Sequence, residues 1–259
     1  MSEILLSIDK GVADIRLNRP DALNSLGLNL LDEFEAALRT VETDTSVRAV
    51  VVSGSGRAFC TGADLKTVIE LLDDWPRYVE YLYRLTDVCR LLEQSPVPTI
   101  ARVHGYALAG GLELLLCCDM AIAADSAQIG DQHANFGLIA GAGGIPRLVR
   151  RIGRQKASEV LYTGRWLSGA EAVEYGIVLR SVPEDDLDAA VSELTQKLIP
   201  KSRTGLGYIK RVIEAGIDVP LVTALNEERS GLLEYFSTSP HPREGISAFI
   251  EKRAPNFNE

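Results

Sequence analysis

Two glycine-marked turns, Gly62-Ala63-Asp64 and Ala109-Gly110-Gly111, each stand where a strand-like apolar run gives way to a helix-like one. At such a junction the first N–H groups of the helix lack an intrahelical acceptor and carry the positive end of its dipole. Two of them aimed at one carbonyl oxygen form an oxyanion hole, often the largest single contribution to acyl or enolate chemistry. Glu113 follows Gly110 by about one helical turn, so its carboxylate can face the same point. The pattern points to an enzyme that polarises a carbonyl.

The elements that must position these groups can be read from periodicity. Residues Ile4 to Ile8 and Val12 to Leu17 alternate apolar with polar around Asp9-Lys10-Gly11, a hairpin signal that ends at Asn18-Arg19-Pro20. Leu28, Leu31, Phe34, Ala37, Leu38 and Val41 recur at three- and four-residue spacing and predict an amphipathic helix. Residues 47–52 form a short buried strand. The pattern then repeats loosely: helix over 78–94, strand over 98–104, helix over 110–118, strands over 119–124 and 127–130. From about Ser168 the chain is expected to be helical, opening with the capping box Ser168-Gly169-Ala170-Glu171. A seam near Ile199-Pro200 divides a β/α core, 1–199, from a C-terminal helical region, 200–259.

Composition bounds the function. The chain has 259 residues, 46% apolar and 24% charged, with net charge −9, so it has ample length for a core and no generic basic footprint for nucleic acid. Cys60, Cys89, Cys117 and Cys118 show no paired spacing, and Met1-Ser2-Glu3-Ile4 lacks a basic-then-apolar leader pattern; both predict a reducing, cytoplasmic setting. The most apolar stretch, 106–124, is interrupted by Glu113 and Asp119 and reads as buried core rather than a membrane span. The three histidines are too scattered for a metal site.

Five segments in order resemble the enoyl-CoA hydratase/isomerase, or crotonase, superfamily: 15–20 with Ala22-Leu23-Asn24, 59–66, 98–111, 141–144 and 248–253. The resemblance covers nearly the whole chain. It implies an α/β fold, a spiral of repeated ββα units with a C-terminal helical lid or trimerisation region, homotrimers or homohexamers, and acyl-CoA thioester substrates. No separate cofactor is implied, since coenzyme A enters with the substrate. The family's two oxyanion donors map onto Ala63 and Gly110, and its first catalytic glutamate onto Glu113. The second glutamate position holds His133. Substrate or CoA contacts are expected from Arg16, Ala22, Leu23, Ala63, Asp64, Leu65, Lys66, Gly110, Phe249 and Lys252, with Asp64 read chiefly as a helix cap.

Hydration of a 2-enoyl-CoA needs a polarised carbonyl, a base for water attacking C3 and a proton donor to C2. Glu113 is expected to be the base and His133 the donor, because imidazole titrates near neutrality. A glutamate pair sharing one proton carries −1, whereas a Glu/His pair carries 0, so a neutral site is expected. Asp131 is given little weight as a partner of His133. The segment 71–84, with Trp75, Tyr78, Tyr81 and Tyr83, is expected to shape the acyl pocket where those rings are not core or trimer contacts. Cys117 and Cys118 are read as packing. Double-bond isomerisation, thioester hydrolysis or carbon–carbon cleavage through His133, and non-catalytic acyl-CoA binding are the alternatives.

Overall fold

A computed structural model describes residues 2–258. The expected hairpin forms as β1 (Ile4–Asp9) and β2 (Val12–Leu17), with Ile4 opposite Leu17. It leads into α1 (Leu28–Thr43), which buries Leu31, Phe34, Ala37, Leu38 and Val41 as the apolar spacing marks, with Leu30 fully buried where the spacing predicts Leu28, itself half-buried.

The chain then repeats one unit. β3 (Ala49–Gly54) and β4 (Ala58–Cys60) precede α2 (Leu65–Leu71) and α3 (Trp75–Glu93). β5 (Thr99–Val103) and β6 (Tyr106–Leu108) precede α4 (Gly110–Leu116). β7 (Met120–Ala124) and β8 (Gln128–Gly130) precede α5 (Gly144–Ile152) and α6 (Arg154–Thr163). β9 (Leu167–Ser168), α7 (Gly169–Tyr175) and β10 (Arg180–Val182) follow, then α8 (Leu187–Leu198), α9 (Arg203–Gly216), α10 (Leu221–Thr238) and α11 (His241–Glu251).

In each repeat the first strand joins a six-stranded sheet, ordered β1-β2-β3-β5-β7-β10, and the second joins a four-stranded sheet, ordered β4-β6-β8-β9. The chain therefore winds as a spiral of ββα turns, the fold class expected. From β2 to β10 the larger sheet is parallel, with Val51 opposite Ile100 and Ala101 opposite Ala121. A parallel strand covered on both faces reads as an unbroken apolar run, which is why Ala49-Val50-Val51-Val52 shows no alternation.

The sequence expectation fails in the later chain. β10 interrupts the stretch after Ser168 that was expected to be helical, pairing with β7 through Arg180 opposite Ile122. Three residues are too few to display a period of two. The capping box at α7 does form: Glu171 N–H donates to Ser168 Oγ at 3.2 Å, and Ser168 N–H to the Glu171 carboxylate at 2.8 Å. Among the described residues no helix is long and apolar enough to cross a membrane.

The seam at 199–200 falls between α8 and α9, yet α9 is tied to the sheets by charge. Lys210 Nζ lies 2.8 Å from Asp119 Oδ2, and the same oxygen accepts from Thr99 N–H and Thr99 Oγ1–H at 2.7 and 2.9 Å. Lys210 is 7% exposed. Removing one partner of a buried pair strands the other, so Lys210→Met should destabilise by about 3 kcal/mol. The check is the urea midpoint, and an unchanged midpoint would show that the pair adds nothing.

Candidate active site

The first turn depends on a backbone that only glycine adopts without strain. Gly62 has φ +95°, and a Cβ there would stand 2.8 Å from the Gly110 nitrogen. Conversely, a Cβ on Gly110 would sit 3.4 Å from the Ala63 nitrogen. The two turns are thus in van der Waals contact, and this brings Ala63 N–H and Gly110 N–H together. Neither has a hydrogen-bond acceptor among the described residues. Gly111 fits α4 against β4, because a Cβ there would lie 2.0 Å from the Cys60 carbonyl oxygen.

The chain before α1 braces the first turn. Leu26 N–H donates to Gly62 O at 2.8 Å, and Asp64 N–H to Leu26 O at 3.2 Å. Thr61 Oγ1–H donates to Leu23 O, and buried Asn24 donates to Ala58 O. Asp64 caps α2, accepting from Lys66 N–H and Thr67 N–H, and pairs with Arg19 at 2.9 Å. On the second turn, Ala109 adopts φ 51° and ψ −117°, a conformation that costs a residue with a Cβ of order 1–3 kcal/mol. Nothing in the residue type signals this strain.

Glu113, 2% exposed, projects from the first turn of α4. Its Oε1 accepts from Ala142 N–H at 2.8 Å and Gly144 N–H at 2.9 Å, while Oε2 has no hydrogen-bond partner among the described residues. Burial is the largest influence on its pKa and raises it; the Gly144 and Ala142 N–H groups and His133 oppose this without cancelling it.

His133 opens a single 3-10 turn, His133–Phe136, just past β8. Here the sequence reading of Asp131 is corrected. Asp131, 2% exposed, lies with Oδ2 2.9 Å from His133 Nδ1, and His133 N–H also donates to Asp131 Oδ1. The strand ends at Gly130, and the turn folds the ring back over its neighbour, so strand geometry does not apply. A carboxylate only accepts, so Nδ1 carries the hydrogen and Nε2 is the nitrogen left over. Burial, the largest influence, lowers the His133 pKa, but hydrogen bonding and charge from Asp131, with the charge of Glu113, outweigh it and raise it. A third ionisable side chain, Asp131, therefore stands beside the Glu113–His133 pair for which the sequence predicts a neutral site.

Ala63, Leu65, Gly110, Glu113 and His133 border one cavity of about 600 Å³. Tyr78, Tyr81, Leu82 and Leu85 of α3, with Leu138 and Ile139, supply much of its apolar wall. Tyr81, fully buried, donates its hydroxyl to Leu26 O at 2.8 Å. Trp75 and Tyr83 are 64% and 67% exposed and do not line the cavity, so the pocket is not shaped around Trp75. Arg16, Ala22, Leu23, Asp64, Lys66, Phe249 and Lys252 also lie outside its lining. Arg16 pairs with Asp14 at 2.7 Å, and Phe249 is 85% exposed. His104 and His241 are likewise outside; His104 contacts Gly56 O and His241 contacts Ser202. All four cysteines are buried and unpaired, and burial pushes the Cys60 thiol up to about 12. Among the described residues no cluster of histidine, cysteine or acidic side chains could hold a metal.

The comparisons with known proteins agree with one another. The family model described as enoyl-CoA hydratase/isomerase matches residues 7–259. A Mycobacterium tuberculosis protein named "Probable enoyl-CoA hydratase echA8" is 36% identical over 254 residues, covering 98% of this chain and 97% of that protein. Mouse "Enoyl-CoA hydratase domain-containing protein 2, mitochondrial" is 35% identical over 260 residues, with coverage of 98% and 87%. The crystal structure of an enoyl-CoA hydratase from Bacillus anthracis superposes with a TM-score of 0.93 at 36% identity, covering 98% of both chains.

The Asp131–His133 contact generates a prediction. With His133 raised above its unfolded value of about 6.5, its stabilising contribution is fully present below that value and lost as pH rises through the folded pKa. Asp131→Asn should lower the His133 pKa, visible by NMR titration of the ring. The stability deficit of the variant should be largest below about pH 6.5 and shrink at alkaline pH. A His133 titration that does not move would disprove the coupling.

Proposed function

Because the chain belongs to the enoyl-CoA hydratase/isomerase family, we propose that it catalyses the reversible addition of water to a 2-enoyl-CoA thioester. One observation carries the reading: a carboxylate with one uncommitted oxygen, an imidazole backed by a buried carboxylate, and two N–H groups without acceptors border the same apolar cavity.

In this reading the thioester oxygen accepts from Ala63 N–H and Gly110 N–H, which draws electron density from the conjugated double bond and makes C3 electrophilic. Glu113 Oε2 takes a proton from water as its oxygen bonds to C3. The displaced π electrons pass through C2 to the thioester oxygen, giving an enolate between the two amides. His133 Nε2–H then protonates C2, restoring the carbonyl. Proton transfer from Glu113 to His133 resets the pair, and dehydration follows the same steps backwards. The upward shift of His133 suits a donor that must hold its proton until the enolate forms. Asp131 keeps Nδ1 engaged, so the proton delivered is the one on Nε2.

No further cofactor is called for, and coenzyme A arrives as part of the substrate. In this reading the CoA portion meets Leu65, which is exposed and borders the cavity, together with neighbouring Lys66 and the Ala22–Leu23 turn. Arg16, committed to Asp14, is the weakest of those candidates. Helices α9 to α11 leave Ile209, Ile213, Ile217, Phe236, Phe249 and Ile250 exposed, a face suited to packing against further copies as a homotrimer or homohexamer. In this reading Phe249 and Lys252, which lie outside the cavity lining, serve a CoA site in such an assembly. The buried free thiols support a reducing compartment, and we read the protein as cytoplasmic.

With crotonyl-CoA, the enoyl absorbance should fall without release of free thiol. Thiol release would instead mean hydrolysis, and conjugation appearing from a 3-enoyl-CoA would mean isomerisation. His133→Ala should lower kcat by roughly 10²- to 10⁴-fold, and His133→Gln should fail to restore it. Full activity in a natively folded His133→Ala protein would sink the assignment. Light scattering should give three or six times the 28.2 kDa chain mass, and a monomer would exclude the assembly.

A further inference from the structure

Outside the cavity lining, a charged side chain reaches the catalytic carboxylate through one peptide segment. Arg147, the fourth residue of α5, is held in a fork by Glu93, the last residue of α3, with Nε to Oε1 at 2.5 Å and Nη2 to Oε2 at 2.7 Å. Its remaining nitrogen, Nη1, donates to Ala142 O at 2.5 Å. Both side chains are largely withdrawn from solvent, at 18% and 26% exposure. Ala142 is fully buried, and its own N–H, with that of Gly144, grips Glu113 Oε1. The turn between these two donors has little slack: a Cβ on Gly143 would meet Arg147 Nη1 at 2.1 Å, and one on Gly144 would meet Glu113 Cγ at 2.8 Å. A planar guanidinium can satisfy a carboxylate with two parallel bonds and a carbonyl with a third, a geometry that lysine cannot reproduce.

We propose that Arg147, clamped by Glu93, is a positioning residue for Glu113: by holding the Ala142 carbonyl it locks the 141–144 turn, so that Oε1 stays bound and only Oε2 is presented to the cavity. This rests on the reading of Glu113 as the base that activates water. Arg147 does not line the cavity, so its effect on chemistry must travel through the turn. The groups facing Glu113 that could also move its titration are His133 and Asp131 from the 131–133 turn, Cys60 of β4 and Tyr81 of α3. None of these is altered by a change at Arg147 or Glu93.

The test is hydration of crotonyl-CoA by Arg147→Lys and Glu93→Gln, assayed across pH, with circular dichroism and thermal melts as the fold check. Loosening the turn should lower kcat roughly 10- to 100-fold while leaving KM within about threefold, since the change misplaces a reacting group and not a substrate contact. Losing two N–H donors to the charged form should move the acid limb of the kcat profile to higher pH. Glu93→Gln keeps the shape of the fork and should show the same two changes at smaller amplitude, so it carries the test if Arg147→Lys does not fold. Unchanged kcat, or a kcat loss with an unmoved acid limb, would overturn the proposal. Glu113→Gln in the same assay separates the two ideas: if that variant stays active, the reading of Glu113 fails, whatever the Arg147 variants show.

Discussion

Contact between the Gly62 turn and the N-terminus of α4 is the constraint from which the rest of the site follows. Two N–H groups can address one oxygen only if the turns that carry them touch, and here a single added methyl on either turn would press into the other's backbone. The spiral makes this contact available. β4 and β6 are parallel neighbours in the smaller sheet, so the turns that follow them leave the same edge side by side. The segment at 19–26 then fixes the first turn from outside, through Asn24, Leu26 and Arg19. The second turn is held by α4, every residue of which is buried. The strained backbone of Ala109 persists there because the strand before it and the helix after it leave no alternative path.

Electrostatics at the site balance burial against directed donors. Glu113 sits where solvent cannot stabilise its charge, and two peptide N–H groups at the start of α5 offset part of that cost. His133 is likewise buried, but its adjoining carboxylate favours the charged ring. The outcome is a pair of groups both pushed toward holding a proton, within an apolar wall that strengthens each interaction. Histidine at position 133 does not stand alone in the site, because the buried Asp131 carboxylate accompanies it.

Much of the fold was legible because its signals are local or periodic. The hairpin at 4–17, the buried face of α1 and the capping box at Ser168 depend on residues within a few positions of one another, and the structure places them as the pattern indicates. The resemblance to a known family supplied the spiral. Where the sequence reading failed, the cause was again physical. β10 is too short to show a period. Trp75 and Tyr83 lie on the same helix as Tyr81, but helical rotation turns them outward while Tyr81 enters the core.

The residue types and their spacing determined that Glu113 lies one turn from an uncapped helix start, and that two glycine-bearing turns stand at strand ends. These are consequences of backbone geometry over a few residues. Only the tertiary structure decided that Asp131 backs His133, that Ala142 and Gly144 hold Glu113, and that Glu93 and Arg147 hold the turn that does so. Such contacts join residues up to 54 positions apart, or reverse direction within a turn, and they exist only once the sheets and helices have packed. Hydrogen bonds depend on distance and angle in space, and a linear pattern carries neither.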